Sequence, residues 1–173
     1  GFTVSAASTM FASAARAEAK KGGVFKAAIG HGQTTDSLDP ATWSNGFTFP
    51  FGKSLMGAPL VQINANNEVV PHVAESFEPA DGAKKWILKL RKGVTFHNGK
   101  TVTAEDVVAS MTHHRSENSK SAAKSLLKEV VNLTADGPDT VVFELNGGNA
   151  DFPYTVSDYH MPIMPKKDDG SVD

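Results

Sequence analysis

Cysteine is absent from the 173 residues. Disulfides, thiol catalysis, cysteine-ligated zinc and iron–sulfur clusters are therefore excluded, and so is a lipid-anchored N-terminal cysteine within this stretch. One-sided charge is also missing. Seventeen basic and nineteen acidic residues are mixed along the chain, for a formal net charge of −2. No basic block points to nucleic acid, and no acidic tail points to a disordered partner arm. No apolar run approaches the roughly 20 residues that a membrane helix needs. What remains is 40% hydrophobic and 21% charged, with 15 glycines and 9 prolines. That is the composition of a soluble globular chain able to bury a core.

Several catalytic signatures are missing as well. There is no G-x-S-x-G elbow and no H-E-x-x-H pair. Gly30-His31-Gly32 starts like a dinucleotide fingerprint, but Thr35 stands where the third glycine belongs. Gly93 to Gly99-Lys100-Thr101 imitates a phosphate loop, yet five residues separate the glycines where the motif has four. Phe96 and His97 are too bulky for a backbone that must wrap a phosphate. The six histidines do not form a ligand set in sequence. His113 and His114 are adjacent and would point about 100° apart on a helix. His31, His72, His97 and His160 are isolated, and surface or core positions are their default reading. No metal site and no cofactor are expected.

The first nineteen residues read as a signal-peptide remnant. Gly1 to Ala15 carries no charge and is rich in Ala, Ser, Phe and Val. Both Ala15-x-Ala17 and Ala17-x-Ala19 fit the small-x-small rule, so cleavage is expected near Ala17 or Ala19. The chain starts at Gly1 and stops in a charged run at Asp173, and is read as truncated at both ends. The mature protein is expected to be soluble and outside the cytoplasm.

The remaining chain alternates short strand and helix patterns. Val24 to Ile29 reads as a β run between glycines, and Gly30 to Asn45 as a loop with an Asp39-Pro40 turn. Phe47 to Met56 has helical composition. Pro59 to Ala65 and Glu68 to Val70 are strand candidates. Ala74–Phe77 and Trp86–Arg91 flank Asp81-Gly82, a hairpin signal. Trp86, Leu88 and Leu90 alternate with Ile87, Lys89 and Arg91, so one strand face is buried. Asn98-Gly99 marks a tight turn. Thr103 caps the clearest helix, with Asp106 three residues on as in a capping box. Ala104, Val107, Val108 and Met111 then form one apolar stripe. A short helical stretch ends at Leu127. Val130–Ala135 and Thr140–Leu145 form a second hairpin, Asp151 to Asp158 a short helix, and Met161 to Pro165 an extended run. The class is α+β with antiparallel hairpins.

From Trp86 the sequence resembles a known family. Residues 86–110, WILKLRKGVTFHNGKTVTAEDVVAS, are similar to the "W-x-F-x-L-R-x-G-V-x-F-H-D-G-x-x-L-T-A-E-D-V-V-x-S" stretch of the family 5 extracellular solute-binding proteins. Pro71 to Phe77 resembles that family's "P-x-L-A-E-S-W", and Ser37 to Pro40 its "x-L-D-P". Residues 121–127 and 157–163 look like later family segments. The resemblance runs in order through residues 24–165. Asn98 replaces the usual Asp and Phe77 the usual Trp; both swaps keep turn chemistry or aromatic bulk.

The resemblance implies the N-terminal fragment of a two-lobe, type II periplasmic binding protein with the small extra domain of the peptide-binding class. Residues 20–57 would start lobe I, 58–165 form the small domain, and 166–173 return towards lobe I. The implied function is a non-catalytic periplasmic receptor, monomeric, that hands di- or oligopeptides to the permease of an ABC importer. Nickel chelates, haem, opines or sugars are alternatives within the family, and an extracytoplasmic hydrolase is a more distant one. Trp86, Asn98, Gly99, Thr103 and Asp106 are read as structural. Ligand contacts are placed after the "L-D-P" turn, at Trp43, Ser44, Asn45, Gly46 and Phe47, with Trp43 alternatively a core aromatic. Ser125, Tyr159 and His160 are further candidates.

Overall fold

A computed structural model describes residues 21–173. The signal-peptide reading of residues 1–19 lies outside the described residues. Irregular chain leads to a 3-10 turn at Pro40–Thr42, where Asp39 accepts the Ala41 N–H at 2.9 Å. A π-helical turn follows at Phe51–Leu55. Strands β1 (Val61–Ile63) and β2 (Val69–Pro71) pair antiparallel, with Val61 opposite Pro71.

The main sheet has four antiparallel strands: β3 (Ala74–Ala80), β4 (Lys85–Leu90), β5 (Val130–Ala135) and β6 (Thr140–Leu145). Their spatial order is β3-β4-β6-β5. Both hairpins expected from the Asp81-Gly82 and Asp136-Gly137 turns are present. The central pair places Trp86 opposite Phe143 and Leu88 opposite Val141. With Leu90 and Leu145 these side chains form one buried row, as period-two alternation requires. On the solvent face of the same register, Lys85 pairs with Glu144 at 3.4 Å.

Helix α1 (Ala104–Arg115) packs across β5 and β6. Ala104, Val107 and Met111 are fully buried against the sheet, whereas Val108 is only half-buried. The expected stripe is therefore corrected at Val108. A second buried side of α1 is polar, with Asp106, Ser110 and His114. After the 3-10 turn Ala122–Lys124 and the second hairpin, one helical turn, α2 (Phe152–Thr155), sets Phe152 against Phe143 at 5.1 Å between ring centroids.

Four further expectations are corrected. Val24 to Ile29 is irregular rather than a strand, with Val24 and Phe25 about nine-tenths exposed. A lone strand leaves its N–H and C=O groups without a ladder, and no described segment pairs with it. Phe47 to Met56 is not a regular helix but the π turn. Gly52 sits so close to the Tyr159 carbonyl that a Cβ would stand 1.7 Å from its oxygen. That contact, rather than helical propensity, sets the local path. The 59–65 and 151–158 expectations shrink to β1 and α2. Among the described residues no helix is long and apolar enough to cross a membrane.

Candidate functional site

The residues after the Asp39 turn are organised from their own side chains. The Trp43 indole N–H donates to the Ser37 carbonyl at 3.0 Å. Asn45 donates to Asp36 at 2.7 Å and accepts the Phe47 N–H at 2.9 Å and the Thr48 N–H at 3.3 Å. Such an Asx turn fixes chain direction without a regular element. It also occupies the Asn45 side chain, leaving Ser44 and Gly46 exposed on either side. Their backbone N–H and C=O groups make no hydrogen bond among the described residues. Phe47 is half-buried and meets Phe51 edge-on at 5.3 Å. Phe49 is about half exposed and lies 5.1 Å from the Tyr159 ring. Phe49 escaped the sequence reading, although Phe47-x-Phe49-x-Phe51 carried an aromatic alternation.

Trp43 is a buried anchor, 2% exposed. Its ring stacks on Tyr159 at 6.4 Å and 2°. The Trp43 carbonyl bonds His160 Nε2 at 3.0 Å, and His160 Nδ1 lies 2.6 Å from Asp158. Three sequence candidates, Trp43, Tyr159 and His160, thus come together across more than a hundred residues of chain. Of these, Trp43 and His160 are buried and do not lie at the surface with Ser44, Gly46 and Phe49. Ser125 is exposed and donates to Ala122 within its own turn.

At the end of α1, one histidine reaches this segment and its neighbour turns inward. His113 meets Asp39 at 2.8 Å. His114 is fully buried with Nδ1 on the Ser121 hydroxyl at 2.7 Å, and its Nε2 has no partner. Burial first, then the nearby His113 and His160, push the His114 ring down to about 4. Burial also raises the Tyr159 phenol, helped by the Asp158 charge.

Trp86 is buried and its indole N–H donates to the Asn149 carbonyl at 3.1 Å. Asn98 accepts the Lys100 N–H at 2.9 Å and Gly99 takes φ 84°, a left-handed turn position. Thr103 donates to Asp106 from its N–H at 2.9 Å and its hydroxyl at 2.8 Å. The other Asp106 oxygen accepts from Lys100 Nζ at 2.6 Å and the Lys166 N–H at 2.7 Å. Burial works to raise this carboxyl, but its four donors outweigh that and hold it below the usual range.

Between the Asp39 turn, residues 55–58, the 94–98 turn and residues 162–165 runs an open groove of about 780 Å³. Leu38, Met56, Phe96 and Met164 give it an apolar wall, and Asp39 and His113 stand at its side. No cluster of three or more metal-ligating side chains occurs among the described residues.

Comparison with known proteins gives consistent matches. The family model described as "Bacterial extracellular solute-binding proteins, family 5 Middle" matches residues 68–172. The protein YhjP of Bacillus subtilis (strain 168) is 30% identical over 138 residues, covering 80% of this chain and 24% of YhjP. The oligopeptide-binding protein AppA of the same organism is 32% identical over 100 residues, 58% of this chain and 18% of AppA. Among solved structures, the binding protein AgaA of A. tumefaciens R10 in complex with agropinic acid superposes with a TM-score of 0.68 at 25% identity. That match covers 75% of this chain and 26% of AgaA. The chain spans a quarter or less of the length of the curated relatives it matches.

Proposed function

This chain belongs to the family 5 bacterial extracellular solute-binding proteins, and from that premise we propose that it serves a non-catalytic receptor that captures peptides for an ABC importer. One observation supports peptides in particular. Ser44 and Gly46 are exposed and their backbone groups make no hydrogen bond among the described residues, on a segment that follows buried Trp43 and also carries Phe47 and Phe49. An extended peptide is bound largely through its main chain, with side chains in roomy apolar surroundings. A segment offering main-chain donors and acceptors beside aromatic rings suits that mode and does not depend on ligand sequence.

In this reading residues 20–57 contribute the ligand-facing wall of one lobe. Residues 58–165 form the small extra domain, and 166–173 lead back towards the lobe. The receptor acts outside the cytoplasm as a monomer and docks on the membrane permease once its ligand is enclosed by hinge closure. Titration calorimetry of the receptor against a pool of short peptides, a nickel chelate and an opine tests the ligand class. Saturable heat with the peptides is expected. Heat with the chelate or the opine alone would overturn the peptide assignment.

A further inference from the structure

Residues 115–131 carry four basic side chains and two acidic ones, in a chain whose net charge is −2. The fold gathers three of these cations. Arg115 at the end of α1, Lys124 in the 3-10 turn and Lys128 line one small pocket of about 210 Å³. Leu127 and Val130, both buried, complete its lining. Arg115 donates to the Val130 carbonyl at 2.5 Å and Lys124 to the Glu117 carbonyl at 2.6 Å. Main-chain oxygens hold both side chains in place, and neither charge is neutralised. Lys128 is exposed and its side chain has no partner among the described residues. The two carboxylates of the stretch do not balance these cations. Both Glu129 oxygens accept from the Asn149 amide, at 3.0 and 2.9 Å, and Glu117 is exposed without an ion pair.

An apolar floor keeps water from one side of the pocket and strengthens the attraction of its cations for an anion. Apolar surface adjoins them as well. Leu126 and Val131, the sequence neighbours of Leu127 and Val130, are 41% and 61% exposed. A free oxyanion would use the cations alone. An anionic phospholipid uses both features, its phosphate against the cations and its acyl boundary against the exposed apolar side chains. We propose that this basic pocket is a contact surface for anionic phospholipid, holding the lipid phosphate between Arg115, Lys124 and Lys128. It shares no lining residue with the groove beside Asp39. It also lies outside the 43–49 segment, so lipid contact and peptide capture are separate properties and either can fail without the other.

Vesicle co-sedimentation of the 173-residue chain tests this. Partitioning onto phosphatidylglycerol vesicles is expected to exceed that onto phosphatidylcholine vesicles by about tenfold or more, at roughly fivefold per engaged cation. The excess should vanish in about 1 M salt, where charges are screened beyond about 3 Å. Lys124→Glu with Lys128→Glu should bring partitioning down to the phosphatidylcholine level. Lys26→Glu with Lys92→Glu makes the same change in net charge at exposed sites outside the pocket, and should keep most of the excess. Equal loss in the two double variants would overturn the proposal, because diffuse charge would then suffice. So would equal partitioning of the parent onto both lipids. Inorganic phosphate that shifts the Lys124 and Lys128 amide resonances, with no phosphatidylglycerol excess, would assign the pocket to a free anion and sink the lipid contact. Circular dichroism checks that each variant folds. If Lys124→Glu with Lys128→Glu does not, Lys128→Gln changes a side chain without a protein partner and should cost about fivefold of the excess. An unchanged excess there would refute the contact equally.

Discussion

His113 and His114 are neighbours in sequence and meet opposite surroundings. The sequence placed them in the last turn of a helix, about 100° apart, so that they could not share a face. What it did not contain was which of the two turns inward, or that Ser121, across a polar break, receives the inner one. The consequence is electrostatic. His114 is buried and neutral, and its ring is pushed from an ordinary 6.5 down to about 4. A group whose folded value is depressed stabilises the fold above its unfolded value, and that stability is lost as pH falls towards the folded value. The window is thus pH 6.5 to about 4. The shift corresponds to roughly 3 kcal/mol at about 1.4 kcal/mol per pH unit. Urea unfolding at neutral and acid pH should show this loss, and His114→Leu should remove most of it. An equal acid loss in His114→Leu would assign the acid sensitivity to other groups.

At the scale of elements, legibility followed the range of the contacts. Both hairpins of the main sheet were readable because alternation and Gly-containing turns are local signals. The capped start of α1 was readable for the same reason. The strand expected at Val24 to Ile29 failed because a strand exists only with a neighbour, and composition does not supply one. The 47–56 segment failed because Gly52 answers to the Tyr159 carbonyl, more than a hundred residues on. Asp106 was read only as a cap, yet it also holds the backbone at Lys166. Its carboxylate accepts from Thr103, Lys100 and the Lys166 backbone, while the Ser110 hydroxyl accepts the Met164 N–H at 2.8 Å. The polar side of α1 therefore clamps residues 164–166. Asp106→Ala would leave the Lys166 and Thr103 donors unsatisfied. With about 1 kcal/mol for each neutral bond and more for those to charge, it should cost roughly 2–4 kcal/mol. Chemical denaturation with an unchanged m value checks this, and a loss under about 0.5 kcal/mol, the range of an ordinary surface substitution, would refute the clamp.

Across the whole molecule, burial is uneven. The sheet, α1 and α2 enclose a continuous core that includes Trp86, Phe143, Met111 and Phe152. The exposed apolar side chains concentrate earlier, at Val24, Phe25, Leu38 and Leu55. Few buried contacts and no backbone ladder mean that residues 21–36 can open without disturbing the core, whereas the sheet opens only with global unfolding. Trypsin separates these two regimes because both contain its targets. Lys21 and Lys26 lie in exposed irregular chain, and Lys85 and Lys89 lie in β4 between two hydrogen-bonded neighbours. Limited proteolysis under native conditions should cut after Lys21 and Lys26 first and leave a resistant product that contains β1 to α2. Time-resolved mass spectrometry of the digest reads the order directly. Cleavage at Lys85 or Lys89 as fast as at Lys26 would mean that the sheet opens locally, and its core would then not be the rigid scaffold on which the Trp43 segment is mounted.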